Sequence, residues 1–118
     1  MEDSIPVTID RQLATEIKHQ LKHDILNFGW MVQLNRLQNP DCAECDCVNA
    51  VFYCVTELHR EGKIVVGNAY NKNDMVLIEP WTETGQNLRL RMMSAIETSH
   101  GDNRAFCFWI QLTEHFVR

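Results

Sequence analysis

Apolar and polar positions follow two rhythms along this chain, one helical and one of period two. From Thr8 to about Asn27 the apolar residues Leu13, Ile17, Leu21, Ile25 and Phe28 recur at helical spacing. At 100° per residue they cover one arc that includes Ala14, while Glu16, His19, Lys22 and His23 fall opposite. The spacing predicts a first helix, capped at Thr8 or Asp10 and stopped by Gly29. The residues before it read as a loose arm over 1–7, because Pro6 disfavours helix at its predecessor. Trp30–Leu34 is a short apolar stretch leading into Asn35-Arg36-Leu37-Gln38, one helical turn, and a break at Asn39-Pro40-Asp41. A second helix is expected from about Asp46 to Arg60. Val48, Val51, Phe52, Val55 and Leu58 gather on one side, while Asp46, Asn49, Tyr53, Glu57 and Arg60 face away. Gly62 is its natural stop.

Two β-rich runs follow, Ile64-Val65-Val66 and Met75-Val76-Leu77-Ile78, with a turn at Asn71-Lys72-Asn73-Asp74. In the last third, even positions carry the apolar residues: Leu88, Leu90, Met92 and Ile96, then Phe106, Phe108, Ile110 and Leu112. That period of two predicts a second hairpin turning over Ser99–Asn103, with a pair of C-terminal helices as the alternative. The expectation is therefore one α+β domain over 1–118. Residues 8–81 form helices and a hairpin, and 82–118 form an aromatic C-terminal segment.

The order helix, short segment, helix, hairpin over about residues 16–81 resembles a winged helix-turn-helix domain. The resemblance rests on the stretch Leu58-His59-Arg60-Glu61-Gly62-Lys63-Ile64, in which the second long helix closes on a glycine before the wing. Val65–Tyr70 and Met75–Trp81 would then be the wing strands. The family most often lays its second long helix in the DNA major groove. That resemblance implies Asn49, Tyr53 and Arg60 as outward readers, with Lys63 and Lys72 near the wing.

Charge changes this picture. The chain has 118 residues and a net charge of −5, with 45% apolar and 23% charged side chains, which suits a folded domain. Over residues 16–81 nine acidic side chains outnumber six basic ones. Asp41, Glu44 and Asp46 stand at the entry of the second helix, where a phosphate would approach. Since phosphate neutralisation supplies much of DNA affinity, this balance opposes DNA binding. The favoured reading is a small, non-enzymatic regulatory module that binds a basic surface on another protein. Asp41, Glu44, Asp46 and Glu57 are its candidate contacts, and a DNA-binding regulator is the alternative. Arg89, Arg91 and Arg104 are the only basic concentration along the chain. The aromatic residues Trp81, Phe106, Phe108, Trp109 and Phe116 serve the core or a homodimer interface.

Cysteine usage adds a third reading. Cys42, Cys45, Cys47 and Cys54 lie within thirteen residues, and Cys107 stands apart. The odd count and the acidic start Met1-Glu2-Asp3-Ser4 point to reduced thiols in a cytoplasm-like compartment. Four thiolates could hold zinc or an iron–sulfur cluster, and a helix start would lower their pKa values. Only one Cys-x-x-Cys pair is present, however, so inert thiols without a cofactor are the first expectation. Neither serine, Ser4 or Ser94, sits in a nucleophile elbow, and the scattered glycines form no phosphate loop. No apolar run approaches membrane-spanning length.

Overall fold

A computed structural model describes residues 4–99 and 101–116. The elements are α1 (Ser4–Leu21), β1 (Leu26–Asn27), α2 (Phe28–Gln38), α3 (Glu44–Arg60), β2 (Ile64–Lys72), β3 (Met75–Pro80), α4 (Gly85–Thr98) and β4 (Trp109–Leu112). Short 3-10 turns over Gly101–Phe106 and Thr113–His115 flank β4. The strands form one antiparallel sheet in the order β1-β4-β2-β3. The α+β class expected from the sequence is observed.

Helix α3 follows from its apolar face: Cys47, Val51, Cys54, Val55 and Leu58 are all buried against the core. Glu44 and Asp46 occupy its first turn, where negative charge suits the helix dipole. Gly62, at φ +75°, ends it in the left-handed region that glycine adopts without strain. The hairpin β2–β3 turns tightly on Asn73 and Asp74, at φ +53° and +64°. Such two-residue turns need positive φ at both positions, and Asn and Asp tolerate it best after glycine.

Four expectations are corrected. Helix α1 begins at Ser4 rather than after a loose arm, so Thr8 and Asp10 lie inside it. Pro6 falls in the first turn, where backbone amides lack helical partners and proline costs little. Residues 1–3 of that arm lie outside the described residues. Second, α1 ends at Leu21, not near Asn27. Lys22 and His23 donate to the carbonyls of His19 and Gln20, which closes the helix three residues back. The chain then extends so that Leu26 can pair with Ile110 of β4.

Third, Gly29 is not a stop signal; it lies in the first turn of α2. Asn27 caps that helix, its Oδ1 accepting from the Trp30 amide at 2.8 Å. A β-carbon at Gly29 would stand 2.5 Å from the Ala105 side chain, so the glycine serves close packing. At the far end, Asn39 donates to the Asn35 carbonyl at 2.9 Å and closes α2 before the expected break. Fourth, residues 85–98 form helix α4 and not a strand. Leu88, Met92 and Ile96 are buried at four-residue intervals, whereas Leu90 is 51% exposed. Positions four apart are also two apart twice over, so the alternation masked a helix whose second apolar position was never inside. The helix matches one half of the alternative reading; the other half, Trp109–Leu112, is a strand as first expected.

The core gathers beneath the sheet. Leu13, Ile17 and Leu21 of α1, Met31 and Leu34 of α2, and the α3 face meet Ile64, Val66, Phe108 and Ile110. Gly67 is required where β2 meets the end of β3, since a β-carbon would lie 2.0 Å from the Glu79 carbonyl oxygen. The α4 assignment makes a direct prediction. Leu88→Ala should lower unfolding stability in urea by about 2–5 kcal/mol, through lost burial and a residual cavity. Leu90→Ala should stay within about 0.5 kcal/mol. Equal losses at the two positions would contradict the helix.

Candidate functional site

Because α4 packs beside α3, a groove of about 500 Å³ opens between them. Val48 and Phe52, one turn apart on α3, and Met93 and Ile96 of α4 supply its apolar floor. Glu44, Asn49, Glu97 and Arg104 form its polar rim. Phe52 and Ile96 are buried, while Met93 is 40% exposed and offers the groove's accessible apolar surface.

The acidic candidates do not form one free patch. Arg36 Nη2 lies 3.1 Å from Glu44 Oε1, and Arg104 Nη1 lies 3.7 Å from Glu44 Oε2. Glu44 thus ties α2 and the turn after α4 to the entry of α3. Glu57 is ion-paired with Arg60 on the next turn, and that guanidinium holds the carboxyl below its ordinary pKa. Asp41 and Asp46 are exposed and carry no ion pair among the described residues. The acidic surface therefore contracts to the loop before α3 and its first turn.

The residues implied for DNA separate in the same way. Asn49, Tyr53 and Arg60 are exposed along α3, but Asn49 lines the groove and Arg60 is bound to Glu57. Lys63 pairs with Glu61 at 3.5 Å and directly precedes β2. Lys72 ends the same nine-residue strand, roughly 30 Å away, so the two lysines do not act together. The C-terminal basic concentration is also dispersed. Arg91 pairs with Glu83 at 2.7 Å and covers the Trp81 ring, and Arg104 pairs with Glu44.

The thiols divide between two faces of α3 and the loop before it. Cys45 is exposed on the groove, Cys47 and Cys54 are buried on the opposite face of α3, and Cys42 is half-buried in the preceding loop. Cys47 donates weakly to the Cys42 carbonyl at 3.9 Å. Among the described residues no three His, Cys, Asp or Glu side chains are grouped to hold a metal. Cys42, Cys45, Cys47 and Cys54 are thus not gathered into one donor set there. Nor is the expected lowering of thiol pKa seen at Cys42. Burial, followed by the hydrogen bond and charge of Cys47 and then Asp46, raises it to about 11 against the pull of Arg36. Burial likewise raises Cys107 to about 11.

The groove was missed by sequence reasoning because its second wall, Met93-Ile96-Glu97, lies in the segment expected as a strand. The four-residue spacing of Leu88, Met92 and Ile96 was the signal that could have found it. Thiol chemistry supplies the check on this surface. With pKa values near 11, only about one in a thousand Cys42 or Cys107 thiols is ionised at about pH 8. Iodoacetamide should therefore label exposed Cys45 first, and Cys45→Ser should remove the fast phase in peptide mass analysis. Labelling of Cys42 at the same rate would contradict the geometry. Among the described residues no helix is long and apolar enough to cross a membrane. Compared with protein-family models, curated proteins and solved structures, the chain matches none of them.

Proposed function

We propose that the protein is a non-catalytic regulatory module that docks another protein in the groove between α3 and α4. The observation that carries this reading is the make-up of the groove. Its apolar floor lies between two helices, and of its two rim carboxylates Glu44, at the entry of α3, is already paired with Arg36 and Arg104. A partner segment can bury apolar surface there without stripping water from an unpaired Glu44 charge. Asp41 and Asp46 beside it add a negative field that favours a basic partner surface and speeds encounter.

A winged-helix DNA regulator is the second reading, favoured by one specific observation. A first helix, a second long helix and a hairpin follow one another in the order of the resemblance, α1, α3 and β2–β3, with β1 and helix α2 standing where a short segment was expected. Against it stand the acidic entry to α3, the internal pairing of Arg60 and Lys63, and α4 flanking the would-be recognition helix. The hairpin is also not a free wing, since β2 is paired along its first half to β4.

Two measurements separate these readings. A partner that co-purifies with the full chain should lose at least about ten-fold in affinity on Met93→Asp, which places a charge on the apolar floor. It should tolerate Asn87→Asp, whose exposed side chain lies about 120° around α4 from Met93, and equal recovery with both variants would remove the groove from consideration. For DNA, duplex binding at about 50 and 200 mM salt should show a steep salt dependence and a loss on Arg60→Ala. Absence of binding at the lower salt eliminates that reading.

A further inference from the structure

A second cleft lies on other elements. In β4, Ile110 is fully buried on the inner face, so its neighbour Trp109 points to the outer one. Phe106 stacks on Trp109, with ring centroids 5.9 Å apart and planes 21° apart, and supports that indole. Trp30, in the first turn of α2, is 44% exposed. Trp30 and Trp109 line a cleft of about 530 Å³ together with Asp24, Ile25 and Val76. Among the described residues that line it, Asp24 is the one charged side chain, and none is lysine, arginine or histidine. The Ile25 amide donates to Asp24 Oδ1 at 2.8 Å, which fixes the carboxylate at the cleft wall.

The third tryptophan shows what such a combination does when complete. The Arg91 guanidinium lies 4.4 Å from the centroid of the Trp81 ring, while Glu83 pairs with the same guanidinium at 2.7 Å. Indole face, carboxylate and cation thus form a satisfied set inside the molecule. At Trp30, Trp109 and Asp24 the indoles and the carboxylate are gathered and the cation is not. Aromatic faces carry negative charge density, and a carboxylate beside them with no internal counter-ion gives the cleft a negative potential over an apolar wall. An ammonium bearing methyl groups satisfies both features, because its charge faces the rings and its alkyl surface leaves water. The net charge of −5 attracts the same ligand at longer range.

We propose that the cleft between Trp30 and Trp109 binds an alkylated ammonium group, with Asp24 as its counter-ion. The group is a methylated side chain of a peptide or a free small molecule, and the two share one recognition chemistry. The test follows the indole N–H signals of the full chain by nuclear magnetic resonance. Four probes are compared: choline, its uncharged tert-butyl analogue, a trimethyl-lysine peptide, and the same peptide unmethylated. The proposal expects a trimethylammonium probe to shift the Trp30 and Trp109 signals and leave buried Trp81 in place. Its affinity should exceed that of the neutral analogue at least about ten-fold. Trp30→Ala and Asp24→Asn should each weaken binding about ten-fold with an unchanged circular dichroism spectrum. Stronger binding of choline than of the methylated peptide assigns a free ligand, and the reverse order assigns a modified peptide. Equal affinity for charged and neutral probes, no shift with any probe, or self-association that buries both indoles without response to cations would each overturn it.

Discussion

The placement of Phe108 and Ile110 between the other strands is the constraint on which the rest of this structure depends. Both side chains are fully buried, and β4 stands between β1 and β2 although it is the last strand in the chain. The Phe108 carbonyl accepts from the Phe28 amide at 3.0 Å, which fixes the start of α2. Its ring lies 5.3 Å from Phe28 and 6.0 Å from Trp81, and Phe28 in turn stacks on Phe52 at 6.3 Å. One residue therefore couples α2, α3 and the segment entering α4. Each such aromatic pair is worth about 0.5–1.5 kcal/mol beyond its buried area, so the coupling is a substantial share of a small domain's stability.

That closure also decides which surfaces are available. With β4 in place, Trp109 must face outward, and Phe106 and Trp30 gather around it. Trp81 is held between Phe108 and Arg91, which orients the start of α4 beside α3. The two clefts are thus consequences of one packing arrangement. Each contains apolar surface left over after the core is filled, and each sits near carboxylates on an acidic molecule. They differ in what has been neutralised. Beside the α3–α4 groove, arginines already hold Glu44, and the floor offers apolar contact. Beside the indoles, Asp24 has no basic neighbour among the described residues that line the cleft, and the site favours a cation from outside.

Legibility in the sequence varied with how local each determinant is. Helix α3 and the β2–β3 hairpin were readable because a single amphipathic face, a glycine stop and an Asn-Asp turn are satisfied within short stretches. The end of α1 was not readable, since Leu21 and Ile25 fit one helical arc and only pairing with β4 pulls Leu26 into a strand. Helix α4 was obscured by Leu90, an apolar residue that faces solvent. The acidic surface was counted correctly but overstated, because Arg36 and Arg104 reach Glu44 from positions 8 and 60 residues away.

By itself the sequence determined the α+β composition, the apolar face and C-terminal stop of α3, the hairpin turn and the negative charge. These follow from backbone preference, side-chain periodicity and ionisation, which act over a few neighbouring residues or over the whole chain as a sum. The tertiary structure alone decided that α4 walls a groove, that Cys45 faces that groove while Cys47 and Cys54 face the core, and that Asp24, Trp30 and Trp109 share a cleft. Those outcomes require the last strand to enter the middle of the sheet. The free energy favouring that step comes from burying Phe108 and Ile110 against residues distant in sequence, a contact that no local pattern specifies.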